Sequence, residues 1–191
     1  YIRMRYTIIC RKTSKRSTFF IINSKVELLH LSPLVGEGGL WSQPYQSDET
    51  LPANTLEGRD TDRPAASTIH FLLTPTTFSC MHRLKTDEIW YYHLGSAVEL
   101  LLLYPDGTCA LRRLGCDLKA GERPQITVPR GTWMGAHLAE DKPYGLMSTS
   151  MAPAYVASDF EAGTFEALQA QVDDPALLPL LRKLTGKPRY E

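Results

Sequence analysis

From residue 67 to about 153 the chain is cut into short runs. In each, β-branched, aromatic and aliphatic side chains either alternate with polar ones or run together. Eight runs stand out, at 68–73, 78–84, 88–94, 98–104, 109–114, 125–128, 132–138 and 146–151. Between them lie turn formers such as Thr74-Pro75, Lys85-Thr86-Asp87, Gly95-Ser96, Pro105-Asp106-Gly107, Gly121-Glu122 and Asp141-Lys142-Pro143. Even spacing with no helical period in between predicts an antiparallel sandwich or barrel rather than alternating strands and helices. After this the period changes to 3.6, with Phe165, Leu168, Val172, Leu177, Leu180, Leu181 and Leu184 on helical spacing and Asp174-Pro175 as a break. Two short helices follow from that, packed on the outside of the sheet or on a partner subunit. Ahead of the strands, 26–31 makes a turn or two of amphipathic helix ended by Pro33. A loop from about 36 to 66, punctuated by Gly36, Gly38, Gly39, Pro44, Pro52, Gly58 and Pro64, is long enough to be functional or to act as a lid. The organisation expected is a leader at 1–25, a β domain at 26–162 and a helical tail at 163–191.

Composition narrows this picture. A chain of 191 residues suits one domain with ragged ends, and 43% hydrophobic with 22% charged residues is ordinary for a globular protein. No apolar run approaches the roughly 18 residues of a membrane span. The longest, 98–104, is broken by Glu99 and suits a buried strand, so no membrane partner is expected. Lys+Arg and Asp+Glu are 21 each, which gives no reason to expect nucleic acid. The charges are nonetheless segregated. Arg3, Arg5, Arg11, Lys12, Lys15, Arg16 and Lys25 precede the first acid, Glu27, leaving 14 basic residues against 21 acidic ones thereafter. Such a leader has transit-peptide composition, so organellar import through 1–25 stays open, and a basic arm could also touch RNA or anionic lipid. The stretch 18–23 is too short for a secretory core and no small-residue cleavage site follows, so an unstructured extension is the expectation. Cys10, Cys80, Cys109 and Cys116 form no C-x-x-C pair, which points to a reducing, cytoplasmic setting.

The candidate chemistry is concentrated between 79 and 95. Alternation along a strand puts Cys80, His82 and Leu84 on one face, and Glu88, Trp90 and Tyr92 on one face of the next strand. A face holding Leu84, Trp90 and Tyr92 turns inward and carries His82 and Glu88 with it. A buried imidazole and carboxylate are costly unless paired or hydrogen-bonded, so their placement implies a pocket or a mutual contact. Farther on, Gln125 and Thr127 share a face against Ile126 and Val128, ahead of the turn Pro129-Arg130-Gly131.

These residues resemble the cupin superfamily. His82-x-Leu84, three residues, Glu88, six residues, Gly95 keeps the spacing of its first motif, and Pro129-x-Gly131 followed by Thr132, Trp133 and Met134 echoes the second. The stretches Glu37-Gly38-Gly39, Phe71-Leu72-Leu73, Phe78-Ser79, Asp87-Glu88-Ile89-Trp90, Leu114-Gly115, Pro124-Gln125, Val128-Pro129, Ala152-Pro153 and Asp159-Phe160-Glu161 are similar to one branch of it, labelled a domain of unknown function. The resemblance covers about 26–185. It implies an all-β double-stranded β-helix, the cupin jelly-roll barrel, with short C-terminal helices packed outside, a pocket within, and commonly a homodimer. The chain departs from the branch at Leu34-Val35, Gln46 and His70, which bear on the pocket's loop and rim.

Metal-binding cupins present three His and one Glu; here the second and third His positions hold Leu84 and Met134, leaving His82 and Glu88. Two donors are too few for a tight site unless Cys80, Gln125 or His70 converges on them, so the pocket is expected to work without a cofactor, with a divalent metal on His82 and Glu88 as the alternative. The leading functional expectation is binding of a small polar metabolite, a sugar or nucleotide-sugar, by Gln125, Trp90, Trp133, Glu37 and Tyr45, with the loop from Glu37 to Tyr45 closing the mouth. The second is a metal-free epimerase or isomerase resembling the dTDP-sugar epimerases, with His82 as base, Glu88 orienting it and Tyr92 as proton donor. Metal-dependent chemistry and a structural or storage role complete the set.

Overall fold

The computed structural model describes residues 15–140 and 142–187; the first fourteen residues of the basic leader lie outside them. Nine strands of four residues or more build the molecule. They are β1 (Leu40–Gln46), β2 (Ser67–Leu73), β3 (Ser79–Arg83), β4 (Glu88–Gly95), β5 (Val98–Leu103), β6 (Cys109–Leu114), β7 (Gln125–Val128), β8 (Trp133–Leu138) and β9 (Gly145–Met151). One sheet runs β1-β2-β9-β4-β7, with the pair Ser32–Pro33 outside β1. The other runs β3-β8-β5-β6, with Glu161–Ala162 outside β3. Every strand pairing in these two sheets is antiparallel.

The two sheets face each other across one core. Phe71, Leu73, Trp90, Met147, Met151 and Val128 come from the first sheet and Leu100, Leu102, Leu114, Met134 and Ala136 from the second. Side chains that alternate with these on the second sheet point outward, and there Met81, Leu101, Leu103 and Trp133 meet Leu168, Val172, Leu181 and Leu184 of the tail. A helix at the start of the described chain, α1, spans Lys15–Leu28. The tail itself is α2 (Phe165–Leu168), capped by Thr164 accepting from the Ala167 amide, and α3 (Leu178–Leu184), after a break where Asp174 accepts from the Ala176 amide. This is the expected jelly roll with short helices outside it.

Two elements differ from what the sequence pattern predicts. The expected loop at 36–66 contains β1, whose polar sequence Leu-Trp-Ser-Gln-Pro-Tyr-Gln gives little apolar alternation. Its Pro44 is tolerated because the pairing with β2 shifts register between Ser42 and Tyr45, so no ladder amide is needed there. The helix α1 also occupies ground expected to be an unstructured extension followed by a turn or two. No helix among the described residues is long and apolar enough to cross a membrane.

Candidate functional site

His82 enters the barrel by way of a bulge. Met134 and Ala136 are successive inward residues of β8, and they pair with His82 and Ser79, which are three residues apart, so β3 carries one extra residue between them. Cys80 and Met81 are displaced outward into the layer beneath the tail, where the Cys80 thiol donates to the Gly186 carbonyl. Cys80 therefore does not share a face with His82, as strict alternation predicts; Ser79 does. Burial, with Glu37 nearby, pushes the Cys80 thiol up to about 11, so it stays protonated.

The His82 ring is 1% exposed and stacks on Phe160 at 5.2 Å between centroids and 18° between planes. Its Nδ1 lies 2.7 Å from the Cys80 carbonyl; a carbonyl only accepts, so Nδ1 is the donor. Nε2 is then directed at Glu37, whose Oε1 is 4.0 Å away, beyond a direct hydrogen bond.

Glu37 arrives from the turn before β1. The Gly38 amide donates to the Leu34 carbonyl and the Leu34 amide to the Gly39 carbonyl, while the Cys80 amide donates to the Glu37 carbonyl at 2.7 Å. Gly39 has φ +70° and a Cβ there would stand 2.7 Å from the Phe71 ring, so only glycine lets this turn press against the core. The Glu37 carboxylate accepts from Ser79 Oγ at 3.0 Å.

Glu88 opens β4 and is 6% exposed. Trp90 Nε1 donates to its Oε2 at 2.9 Å, and Thr149 on the neighbouring β9 also hydrogen-bonds it. Burial pushes this carboxyl up to about 7. His82, Thr149 and Trp90 oppose the rise and Glu37 adds to it. At neutral pH such a group can both give and take a proton.

Glu37 and Glu88 border a cavity of about 210 Å3 between β1, β2, β9 and the chain after β9. Leu34, Glu37, Trp41, Gln43, Gln46, Ser67, Ile69, Leu84, Glu88, Thr149, Met151 and Tyr155 line it. No Lys, Arg or His stands among these residues. Leu34 and Gln46, two of the positions at which the chain departs from its branch, are part of this wall.

Of the expected site residues, Glu37 and Glu88 reach the cavity, and His82 sits behind Glu37. The others need correction. Tyr92 lies four residues beyond Glu88, roughly 13 Å along the strand, and its hydroxyl donates to the Gly95 carbonyl at the other end of the barrel. Gln125 is exposed, because Ile126 and Val128 take the inward positions of β7. Trp133 faces the outer layer with the Arg83 guanidinium over its ring, since Met134 points in. Trp90 is core, edge-on to Phe71, and acts on Glu88 rather than on the cavity. Tyr45 is 53% exposed and absent from the wall; Trp41, Gln43 and Gln46 of the same strand take that role. Side-chain pattern misses Trp41 and Gln43 because β1 has the composition of a loop, and Gln46 is marked only by its departure from the resembled pattern. Thr149 and Met151 are legible as alternate residues of one strand, but not as partners of Glu88.

The donor set does not fit a metal centre. Leu84 and Met134 hold the inward positions beside His82. Cys80 and Gln125 point away, and His70 lies on the outer face of the first sheet with Ser42. Among the described residues no three His, Cys, Asp or Glu side chains are arranged to hold an ion.

Comparison with known proteins bears on the family and the fold. The family described as Cupin superfamily (DUF985) matches residues 23–163. The chain is 28% identical over 138 residues to the uncharacterized protein YML079W of Saccharomyces cerevisiae, covering 68% of this chain and 67% of that one. Among solved structures, SO0799 from Shewanella oneidensis superposes with a TM-score of 0.73 at 32% identity, over 86% of this chain and 97% of that one. A hypothetical protein from Leishmania major gives 0.71 at 28%, over 88% and 98%. A chain of the oxalate decarboxylase OxdC of Bacillus subtilis gives 0.50 at 12%, over 84% and 39%, a likeness of fold alone.

Proposed function

The chain belongs to the cupin superfamily family DUF985, and on that premise we propose that it binds a small polar metabolite, no larger than about one sugar ring and not anionic, inside its barrel. The observation that carries this reading is the cavity wall. Trp41 offers an aromatic face, Gln43, Gln46, Ser67 and Thr149 offer donors and acceptors, and Glu37 and Glu88 offer carboxyl groups. This mixture of apolar surface and a few convergent polar groups is what small-ligand sites present. Its volume of about 210 Å3 is below the roughly 300–1,000 Å3 of drug-sized sites, and the wall has no cation to hold a diphosphate. A nucleotide-sugar is therefore disfavoured relative to a free sugar or polyol.

A panel of monosaccharides, cyclic polyols and their nucleotide conjugates, followed by ligand-observed NMR, tests the reading. Free ring-sized compounds should bind, and Trp41→Ala should weaken them about tenfold through lost stacking and apolar contact. Binding of nucleotide conjugates with the free rings silent would overturn it.

A second reading, proton transfer on such a ligand, is favoured by the Glu88 carboxyl near 7 at the cavity wall. In it Glu88, not His82, is the acid–base group, because the Glu37 carboxylate stands beside Nε2 and His82 is not part of the wall. Solvent deuterium should then enter a bound carbonyl sugar at a carbon next to the carbonyl, and Glu88→Gln should abolish the exchange.

A further inference from the structure

We infer that the barrel cavity takes a ligand bearing a protonated amine, seated between the carboxyl groups of Glu37 and Glu88. This rests on the cavity being a binding site and narrows the ligand by charge.

Both carboxyl groups of the wall lie on the same small space, and the Glu37 charge adds to the rise at Glu88. No Lys, Arg or His stands in the wall to compensate them; the His82 imidazole outside it lowers the Glu88 carboxyl, but burial outweighs it. His82 is behind Glu37 with Nε2 4.0 Å from its carboxylate and Nδ1 committed to the Cys80 carbonyl. The arginines of the neighbouring elements are engaged elsewhere: Arg59 and Arg63 with Asp159, and Arg83 with Glu161. Each carboxyl receives neutral donors, Ser79 on Glu37 and Trp90 on Glu88, which orient the oxygens without cancelling charge. A buried carboxylate that no cation contacts directly is a standing cost, and it is relieved by an ammonium that donates to it. Trp41 and Tyr155 add aromatic surface to the wall, which also favours a cation over an anion. A hydroxyl in the same place exchanges one water hydrogen bond for another and gains little, and a carboxylate is repelled.

The test uses the full chain at pH 8 and three probes of one shape: trans-4-aminocyclohexanol, trans-1,4-cyclohexanediol and trans-4-hydroxycyclohexanecarboxylate, titrated by calorimetry. The amine should bind at least about tenfold more tightly than the diol, the step expected of a charge-assisted hydrogen bond over a neutral one, and the carboxylate should not bind. Glu88→Gln should bring the amine-to-diol ratio toward one. Glu37→Gln, at a partly exposed position less critical to folding, should do the same. If the diol or the carboxylate binds as tightly as the amine, the charge assignment is overturned while metabolite binding stands. If the amine is preferred but both variants keep the ratio, the seat between the two carboxyls is overturned. If none of the three binds, both readings are overturned.

Discussion

Glu88 is almost fully buried, and its carboxyl is pushed up to about 7 chiefly by that burial. Because the folded value lies above the ordinary 4.5, the native state holds more protons than the unfolded chain between the two. The stability linked to this group is therefore complete below about 4.5, declines as pH rises, and is lost above about 7. Glu88→Gln cannot ionise and should escape this loss. Relative to wild type, the variant should gain up to about 3 kcal/mol between pH 4.5 and 7.5 in urea unfolding, since each tenfold rise in proton affinity on folding is worth about 1.4 kcal/mol. Parallel pH profiles for the two proteins would show that Glu88 ionises as freely in the fold as in water. At this scale the inward direction of His82 and Glu88 is readable from sequence, because apolar neighbours at even spacing share their face. That Ser79 and Glu37 stand next to His82 is not readable, because no local pattern records a bulge or the path of a loop.

Single strands show the same division. Alternation places Glu88 and Trp90 inward on β4, and the structure agrees; on β7 it sets Ile126 and Val128 against Gln125 without telling which face turns in. In β3 the rule fails at one extra residue, and the failure moves Cys80 from the pocket to the tail. The strand β1 resembles a loop because its large side chains, Leu40, Trp41 and Tyr45, do not alternate with polar ones, and its Pro44 lies where the register shifts. The strand ends are fixed more sharply. Gly95, the glycine of the first motif, has φ +93°, and a Cβ there would stand 2.2 Å from the Tyr144 carbonyl oxygen, so the β4 turn closes only on glycine. Gly95→Ala combines backbone strain with a clash against main chain that has nowhere to yield, and should cost about 2 kcal/mol or more. Chemical denaturation will read it; a loss under about 0.5 kcal/mol would mean that the two segments separate at little cost.

At the scale of the molecule, two apolar layers share the second sheet, one inside the barrel and one beneath α2 and α3. The cavity lies at the end of the inner layer, between elements far apart in sequence, from Leu34 to Tyr155. A ligand held there bridges these elements and should stabilise the barrel as a unit. At about 100 times its Kd the gain is about 2.7 kcal/mol. For a domain of this size that corresponds to roughly 5–10 °C in Tm, which the tightest of the cyclohexyl probes should show in a thermal melt. The same melt with Trp41→Ala should need a higher probe concentration for an equal shift. A shift that ignores Trp41 would place the ligand outside the barrel.

Residue order alone determined the β class, most of the strands, the helical tail and the inward turn of one imidazole and one carboxyl, because each follows from side-chain period and turn chemistry within a few residues. Only the tertiary structure decided that Tyr92 lies at the far end of the barrel, that Gln125, Trp133 and Tyr45 face away, and that Glu37, Trp41 and Thr149 gather around Glu88. Alternation tells which side of its own strand a residue takes. How far along the barrel that residue sits, and what meets it there, is set by register between strands distant in sequence and by loops with no period.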